Sequence, residues 1–378
     1  MDYQTLKFIW WILMGVLLIG FTVTDGFDMG VGILLRIIGK RDSERRIMIN
    51  SMAPHWDGNQ VWFITAGGAL FAAWPVVYAT SFSGFYLAVL LALAGLWFRP
   101  VGFDYRSKLE NSQWRNAWDW GITFGSFVPP LIFGVAFGNI LQGVPFHFND
   151  LMESYYTGSF FGLLNPFGVL AGLVSVMMVA TQGGAWLQMK TTDELHARAC
   201  KSTAITGLLC AVLFALAGVW LAYGIDGYVV TSSINANADI TPLMKTVSIQ
   251  PGAWLTNYSK YPILVVAPVL GIGGMLLAAL ASLKNKGWQS FLCSSLGIVG
   301  VILTAGGSMF PFLMPSSTNP NMSLTMWDAT SSDKTLTIMF VVVCIFVPLI
   351  LVYTLWNYWV MRGRLDAKHI EDNSHSLY

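Results

Sequence analysis

The sequence predicts an all-α polytopic membrane protein with nine transmembrane helices. Of its 378 residues, 55% are hydrophobic and only 11% are charged, whereas soluble proteins carry about 25% charged residues. Several apolar runs exceed the roughly 18–20 residues that an α-helix needs to cross ~30 Å of hydrocarbon. A transmembrane β-barrel would instead show short segments of alternating polarity. These observations together favour a bundle of transmembrane helices.

Nine apolar segments are predicted to be the transmembrane helices. The first is too long for one upright helix at ~1.5 Å per residue, so we expect it to tilt or to project from the bilayer. Only Lys7 precedes its apolar core, and no small-residue cleavage site closes it, which favours a retained helix over a signal peptide. The segments are 8–38, 52–73, 78–98, 117–142, 162–188, 202–224, 261–283, 287–314 and 335–361.

The distribution of basic residues predicts the orientation of the chain. When the loops are taken alternately, all but four of the 21 Lys and Arg residues fall on one side of the membrane. The positive-inside rule assigns that side to the cytoplasm. The N-terminus is then periplasmic and the C-terminus cytoplasmic, which agrees with an odd number of spans. The four exceptions are Lys7, Lys245, Lys260 and Lys334.

Glycine and proline residues interrupt several of the predicted helices. Membrane helices tolerate them because neighbouring groups satisfy the freed backbone atoms. Small residues also let two helices approach closely, so close packing is the first interpretation and a functional broken helix is the alternative. The residues are Pro129, Pro130 and Pro166, with the pairs Gly67–Gly68, Gly183–Gly184 and Gly306–Gly307.

Four titratable residues lie in the first two predicted helices, towards the cytoplasmic side. Asp25 and Asp28 are three residues apart and therefore share a face of the first helix. Counting from its cytoplasmic end places Asp28 ~12 Å and Asp25 ~17 Å deep. His55 and Asp57 lie roughly 6–9 Å above the same boundary on the second helix. The four side chains are predicted to form a ladder from the cytoplasm towards the midplane.

This ladder of polar side chains has three interpretations. A charged side chain at the bilayer centre costs ~2.5–3.5 kcal/mol on insertion scales, and such residues commonly serve proton relays or ion sites. Proton transfer is therefore the working hypothesis. A structural ion pair with Arg99, at the cytoplasmic end of the third helix, is the second interpretation. Solvation of the side chains among lipid headgroups is the third.

The histidine and cysteine content limits what this chain can bind by itself. Of five histidines only His55 lies near the membrane interior, whereas a bis-histidine haem needs two on facing helices; a His–Met site stays formally open. The four cysteines form no CxxC motif, which argues against a disulfide framework or a metal site. The net charge of +1 indicates no nucleic-acid partner. We predict no catalytic and no metal-binding residue in this chain.

Several long motifs carry a resemblance to one family of respiratory enzymes. They are TDGFDMGVG, APHWDGNQVWFITAGGALFAAWP, FRPVGFDYRSK and MFPFLMPSSTNPNMSLTMWDATSS, with HSLY at the C-terminus. In these motifs, and over essentially its whole length, the chain resembles subunit II of cytochrome bd-type ubiquinol oxidases. Within the family the likeness is closest to the bd-II isoenzyme of enteric bacteria.

The resemblance implies a function within a larger complex of the bacterial inner membrane. The complex would reduce O2 to water with electrons from quinol and would take protons from the cytoplasmic side. Haem b558, haem b595 and haem d would be ligated by subunit I, which this non-haem subunit would stabilise. A small single-helix subunit would complete the enzyme. Some members of the family hold a quinone or a lipid in a groove of subunit II.

The resemblance also implies an architecture of two four-helix bundles plus one extra helix. On the predicted spans, the first bundle takes up approximately residues 1–145 and the second residues 160–315. The ninth helix is then 335–361, and 362–378 is a cytoplasmic tail.

Individual residues match family positions of known importance. By resemblance, Asp57 lies on the proton path that enters at the subunit interface. Asp28 and Arg99 match positions linked to the integrity of the haem site, and Trp62 matches a position near a lipid-side entrance for O2. With the ladder described above, the predicted proton path comprises Asp57, Asp28, Asp25 and His55.

Two alternatives to an oxidase subunit remain at the level of sequence. A proton- or cation-coupled secondary transporter could use Asp25, Asp28 and Asp57, because interrupted helices and midplane carboxylates suit transporters. Against this, the sequence shows no clear internal repeat with paired interrupted helices. The other alternative is a structural scaffold whose carboxylates only pair with Arg99.

Overall fold

Helices dominate the computed structural model, which describes residues 1–366. The α-helices of this part are α1 Tyr3–Ile38, α2 Asp42–Met52, α3 Trp56–Ala73, α4 Pro75–Gly84, α5 Tyr86–Arg106, α6 Ser112–Gln142, α7 Pro166–Lys190, α8 Asp193–Gly224, α9 Thr256–Lys260, α10 Val266–Leu283, α11 Gly287–Met309 and α12 Asp333–Val360. Eight helices of the described chain are long and apolar enough to cross a membrane, and the bent pair of α3 and α4 makes nine spans when it counts as one. The all-α membrane fold is therefore confirmed.

Three small antiparallel hairpins lie in the long loops at the end where α1 begins. A bridge between Val144 and Ser316 joins two of these loops, and the Nζ of Lys7 on α1 donates to the carbonyl oxygen of Trp327 at 2.8 Å. The loops thus cap this end of the helices. The hairpins pair β1 Phe146–Phe148 with β2 Ser154–Tyr156, β3 Asp226–Val230 with β4 Val247–Pro251, and β5 Phe312–Met314 with β6 Leu324–Thr325.

The packing of the helices follows two groups of four. The first group is α1, α3, α5 and α6, in which α1 contacts α3 and α6, and α5 lies on α6. The second group is α7, α8, α10 and α11, and α7 packs against both α1 and α6 to join the two groups. The remaining span, α12, contacts α1 and α3. This is the arrangement of two four-helix bundles plus one extra helix.

Helix α1 is the central element of this arrangement. It is unbroken over 36 residues and therefore ~54 Å long, well beyond the hydrocarbon thickness. Every residue from Asp25 to Leu35 is buried, and a helix that is buried all round lies in the core of a bundle. The two aspartates of the sequence ladder thus lie on a fully enclosed stretch of α1.

The crossing of α1 and α7 depends on two glycines. A Cβ atom on Gly30 would overlap the backbone around Gly183, and a Cβ on Gly183 would overlap the backbone of Gly30. Close packing, the first interpretation of the glycine pairs, is therefore correct for Gly183. It is wrong for Gly67–Gly68 on α3, where a Cβ would meet nothing within 4 Å.

The predicted third span, 78–98, is wrong at both ends. The chain first forms α4, which is bent by 119° from α3 and begins at Pro75, a residue suited to the first turn of a helix. The span itself is α5, which continues to Arg106 because Arg99 and Arg106 are buried and paired rather than solvated. Hydropathy alone ended this helix too early.

The predicted eighth span, 287–314, is too long. Helix α11 ends at Met309, and Pro311, which lacks a backbone N–H, follows two residues later. The apolar residues of β5 continue the hydropathy signal, so the sequence pattern did not separate strand from helix. At the C-terminus, residues 367–378, including the motif HSLY and most of the predicted tail 362–378, lie outside the described residues.

Candidate functional site

A buried ion pair joins α1 to α5. The Nη2 atom of Arg99 lies 3.0 Å and 2.9 Å from the two carboxylate oxygens of Asp25. Both side chains are 0% exposed. The pairing of Arg99 with an aspartate, which was the second interpretation of the sequence ladder, is therefore present in the structure. Its partner is Asp25.

Asp28 lies one helical turn further along α1 and has a different partner. Asn59 on α3 donates from its Nδ2 to the Oδ2 of Asp28 at 2.7 Å. The Oδ1 of Asp28 and the Nε and Nη1 of Arg99 are buried without a hydrogen-bond partner within residues 1–366. Two carboxylates and one guanidinium leave one negative charge uncompensated, so the cluster of Asp25, Asp28 and Arg99 has the composition of a site that holds one proton.

An aromatic group covers this cluster near the start of α3. The ring of His55 stacks on Tyr358 of α12, with centroids 4.7 Å apart and planes inclined by 10°, and meets Trp186 edge-on at 5.5 Å. Trp186 in turn stacks on Phe27 at 4.0 Å. His55 is only 2% exposed. It is predicted from sequence to join the proton ladder, but it makes no hydrogen bond to either aspartate among the described residues and packs against aromatic rings instead.

Asp57 does not join the ladder that the sequence predicts. Its side chain is exposed, and within residues 1–366 it has neither a hydrogen bond nor an ion pair. It lies at the start of an outward-facing stripe of α3 that continues through Ile64 and Phe71, which are 70% and 59% exposed. The side chain of Asp57 therefore points away from the side of α3 on which Asn59 contacts Asp28. The depth estimate brought them together because depth says nothing about the direction of a side chain.

Trp62 faces the interior of the first bundle. It is 8% exposed, and its ring packs against the backbone at Gly20 of α1. Its Nε1 has no hydrogen-bond partner within the described chain. The bulky ring and the glycine are complementary in size, which fixes the distance between α1 and α3.

Sequence analysis missed the partners of the buried aspartates. Neither Asn59 nor Tyr358 is singled out in the sequence analysis, and Tyr358 is one of several aromatic residues at the end of α12. The Tyr358 hydroxyl donates to the Oδ1 of Asn59 at 2.5 Å. No motif or spacing marks this contact, because the two residues are 299 positions apart. The polar character of Asn59 in an apolar helix was the only available signal.

A second set of ion pairs lies at the end of the helices nearest α2. Asp119 of α6 accepts from Arg106 at 2.5 Å and from Arg45 at 2.9 Å, and Arg106 also contacts Asp42 at 2.7 Å. The side chains of Asp119 and Arg106 are both only 1% exposed. These contacts attach α2 to α5 and α6.

Glu44 attaches the same short helix to α8. Its carboxylate lies 2.6 Å from Arg198 and 2.9 Å from Arg41. Burial alone would raise the pKa of Glu44, but the hydrogen bonds from Arg198 and Arg41 outweigh burial and lower that pKa to about 2. The carboxylate therefore stays ionised and paired at any physiological pH.

The fold and the buried charge cluster define a polytopic membrane protein built around a polar centre, and comparisons with known proteins give its family. The family model for cytochrome bd terminal oxidase subunit II matches residues 6–361. The chain is 61% identical to cytochrome bd-I ubiquinol oxidase subunit 2 of Escherichia coli strain K12, over 100% of both chains. It is 30% identical to cytochrome bd ubiquinol oxidase subunit 2 of Bacillus subtilis, over 95% of this chain and 97% of the relative.

A solved structure supports the fold independently. The bd oxidase from Geobacillus thermodenitrificans matches with a TM-score of 0.62 at 12% identity, over 95% of this chain and 99% of that chain. This chain belongs to the cytochrome bd oxidase subunit II family. It is a subunit of a haem-containing terminal quinol oxidase in the inner membrane, with subunit I as its partner. The transporter alternative is set aside by this membership.

The described residues of this chain do not fit a haem. His55 is the histidine closest to the polar centre, and aromatic rings occupy one face and one edge of its imidazole. In the described part of the chain, no group of three or more His, Cys, Asp or Glu residues could hold a metal ion. We therefore derive no chemical step through a haem held by this chain.

Proposed function

We propose that this chain is the non-haem subunit of its oxidase, that it stabilises the haem-bearing subunit, and that it carries part of the cytoplasmic proton uptake. Reduction of O2 to water consumes protons, so a path must lead them to the oxygen site. Side chains that can take up and release a proton inside the membrane are the natural components of such a path.

The single observation that carries the proton-uptake proposal is the position of Asp57. Lipid is a poor environment for a carboxylate, and the rest of the stripe on α3 that begins at Asp57 is apolar. A charged group at the end of an apolar outward face suits a surface that another protein chain covers. We infer that Asp57 takes protons from cytoplasmic water and passes them to groups of subunit I.

The buried cluster supplies a second, separate element. Arg99 neutralises one of the two carboxylates of α1, and the other, Asp28, can hold a proton. We propose that Asp25, Asp28 and Arg99, with His55 packed beside them, hold α1, α3 and α5 in register for contact with subunit I and serve as an internal proton site. Trp62, whose ring packs against Gly20 of α1, is proposed to lie near an entrance for O2.

The remaining expectations complete the proposal. Haem b558, haem b595 and haem d are expected on subunit I, a small single-helix subunit is expected as a further partner, and a quinone or lipid is expected in a groove of this chain. The N-terminus is proposed to be periplasmic and the C-terminus cytoplasmic. The two helix bundles are proposed to comprise residues 1–145 and 160–315, and the narrower assignment to a bd-II isoenzyme stays a prediction.

The experiment that tests the role of Asp57 is Asp57→Asn in the purified complex. Quinol-driven O2 consumption should fall at least ~10-fold, as expected for loss of a proton-transferring group, while the haem spectrum keeps its wild-type amplitude. Asp193→Asn is the matched control, because Asp193 is also an exposed aspartate in the first turn of a membrane helix, but it lies on α8 of the second group. It should leave turnover unchanged.

Two outcomes would contradict the proposal. Wild-type turnover in Asp57→Asn would exclude Asp57 from the proton path. Loss of haem in proportion to activity would instead assign Asp57 to the stability of the complex.

A further inference from the structure

The hydroxyl of Tyr358 reaches Asp28 through one intervening side chain. Tyr358 donates to the Oδ1 of Asn59 at 2.5 Å, and the Nδ2 of Asn59 donates to the Oδ2 of Asp28 at 2.7 Å. All three groups lie where α1, α3 and α12 meet. The result is a hydrogen-bond chain of three side chains from three different helices.

The position of Tyr358 on α12 sets it apart from its neighbours. Only Leu336 and Thr354 of this helix are buried, and the aromatic residues on either side, Trp356 and Trp359, are 65% and 60% exposed. Tyr358 instead turns inward, on the same face as Thr354 one turn earlier. Its ring stacks on His55, so the ring by itself accounts for the attachment of α12. The hydroxyl is not needed for that packing.

The chemistry of the chain depends on the charge of Asp28. An ionised carboxylate only accepts hydrogen bonds, so the amide NH2 of Asn59 must face it and the amide carbonyl must face Tyr358. A carboxylic acid that carries its proton on Oδ2 donates, so the amide must turn over to accept. The NH2 group then faces Tyr358, whose oxygen can accept just as its hydroxyl can donate.

Tyrosine can therefore complete the chain in both protonation states. A phenylalanine at this position could complete neither, and one end of the Asn59 amide would be left unpaired inside the protein. An unpaired buried polar group is unfavourable by ~1–3 kcal/mol. The hydroxyl thus removes a penalty that a phenylalanine would leave in both protonation states, and it keeps the Asn59 amide paired when the amide turns over.

We propose that Tyr358 is a positioning residue for Asp28, which supports the Asn59 amide in either orientation so that Asp28 gains and loses a proton without leaving a buried polar group unpaired. This inference rests on the proposed role of the buried cluster as a proton site. It adds α12, the extra helix of the fold, to that site. Tyr358 touches neither quinol nor O2 and acts only through Asn59.

The test uses the purified whole complex with Tyr358→Phe, which removes the hydroxyl and keeps the ring on His55. The readout is the reduced-minus-oxidised infrared difference spectrum in the region of protonated carboxyl groups, where the band lost in Asp28→Asn belongs to Asp28. That band should shift in Tyr358→Phe, and turnover should fall by about fivefold or more with a changed dependence on pH. Tyr353→Phe is the matched control, because Tyr353 lies on the same helix and is 42% exposed.

A purely structural role for Tyr358 would leave the Asp28 band in place, and that result overturns the proposal. Absence of any Asp28 band also overturns it, because Asp28 would then undergo no change for Tyr358 to support. If Tyr358→Phe does not assemble, Asn59→Leu breaks the same chain from the other side and should shift the same band.

The outcomes also separate this inference from the proposed function. If Asp28→Asn retains haem and full turnover, the proton role of the cluster fails. If Asp28→Asn slows turnover while Tyr358→Phe behaves as wild type, only the positioning role fails.

Discussion

Replacement of Arg99 by glutamine should destabilise the subunit more than any other single change in its buried cluster. Arg99 and Asp25 are both 0% exposed and lie 2.9 Å apart, so water does not screen the charge that is left behind. Removal of one partner of a buried ion pair typically costs ~3–5 kcal/mol, because the other charge stays buried without compensation. Asp28 adds a second carboxylate to the same site, which places the expected loss at the upper end of this range.

A second substitution identifies the partner of Arg99. Asp25→Asn should restore much of the stability lost in Arg99→Gln, because the pair of changes removes both buried charges. Asp28→Asn is the matched control: it also removes one carboxylate of α1, but its main contact is Asn59. The three single variants, the two double variants and the wild type form two double-mutant cycles, and only the cycle with Asp25 should show a coupling of ~2–3 kcal/mol or more.

The assay is thermal unfolding of the purified complex in mild detergent, followed by tryptophan fluorescence, with haem content measured in parallel. Equal rescue by Asp25→Asn and Asp28→Asn would refute the reasoning, because Arg99 would then be shared between the two carboxylates. Greater rescue by Asp28→Asn would refute it more strongly, since that result would make Asp28 the true partner.

Two further predictions concern the contacts that hold the helices together. Glu44→Gln should lower the thermal stability of the complex at neutral pH, where the Glu44 carboxylate is ionised and paired. The pKa of Glu44 is lowered from 4.5 in the unfolded chain to about 2 in the folded protein. The stability that Glu44 contributes is therefore present above pH 4.5 and lost as the pH falls towards 2, so the difference between variant and wild type should shrink over that range. A difference that does not depend on pH would contradict this. Gly183→Ala should lower stability, measured by thermal unfolding, by ~1–3 kcal/mol through overpacking at the crossing of α1 and α7. The control is Gly218→Ala on α8, where a Cβ meets nothing within 4 Å, and it should leave stability unchanged. Equal losses in the two variants would show that the close approach of α1 and α7 is unimportant.

The number of spans could be predicted from sequence because a helix that crosses a bilayer must have a minimum length and an apolar composition, and both can be read directly from the sequence. The same physics located Asp25 and Asp28, since a charge in an apolar run is conspicuous. The errors came where an apolar segment was not a helix, as in β5, or where charged residues were buried in pairs, as at Arg106. In both cases the hydropathy of a residue reports its side chain alone and does not report the secondary structure or the ion-pair partners around it.

Most contacts of the candidate site could not be predicted from the sequence. The period of an α-helix places Asp25 and Asp28 on one face, but it does not say which residue of another helix they meet. The choice between Asp25 and Asp28 as partner of Arg99, the outward direction of Asp57 and the contact of Tyr358 with Asn59 all depend on how the helices rotate against one another. That rotation is set by packing, for example by the fit of Trp62 against Gly20.

The ion pair between α1 and α5 also has a consequence for biogenesis. Asp25 and Arg99 are 74 residues apart, so at ~5–20 residues per second the ribosome needs about 4–15 s to supply the arginine after the aspartate. During that interval α1 carries two carboxyl groups without their cationic partner, and lipid is a poor environment for them. Helix α1 is therefore expected to stay beside the insertion machinery until α5 has been synthesised. The two helices should then enter the lipid together, with Asp25 and Arg99 paired.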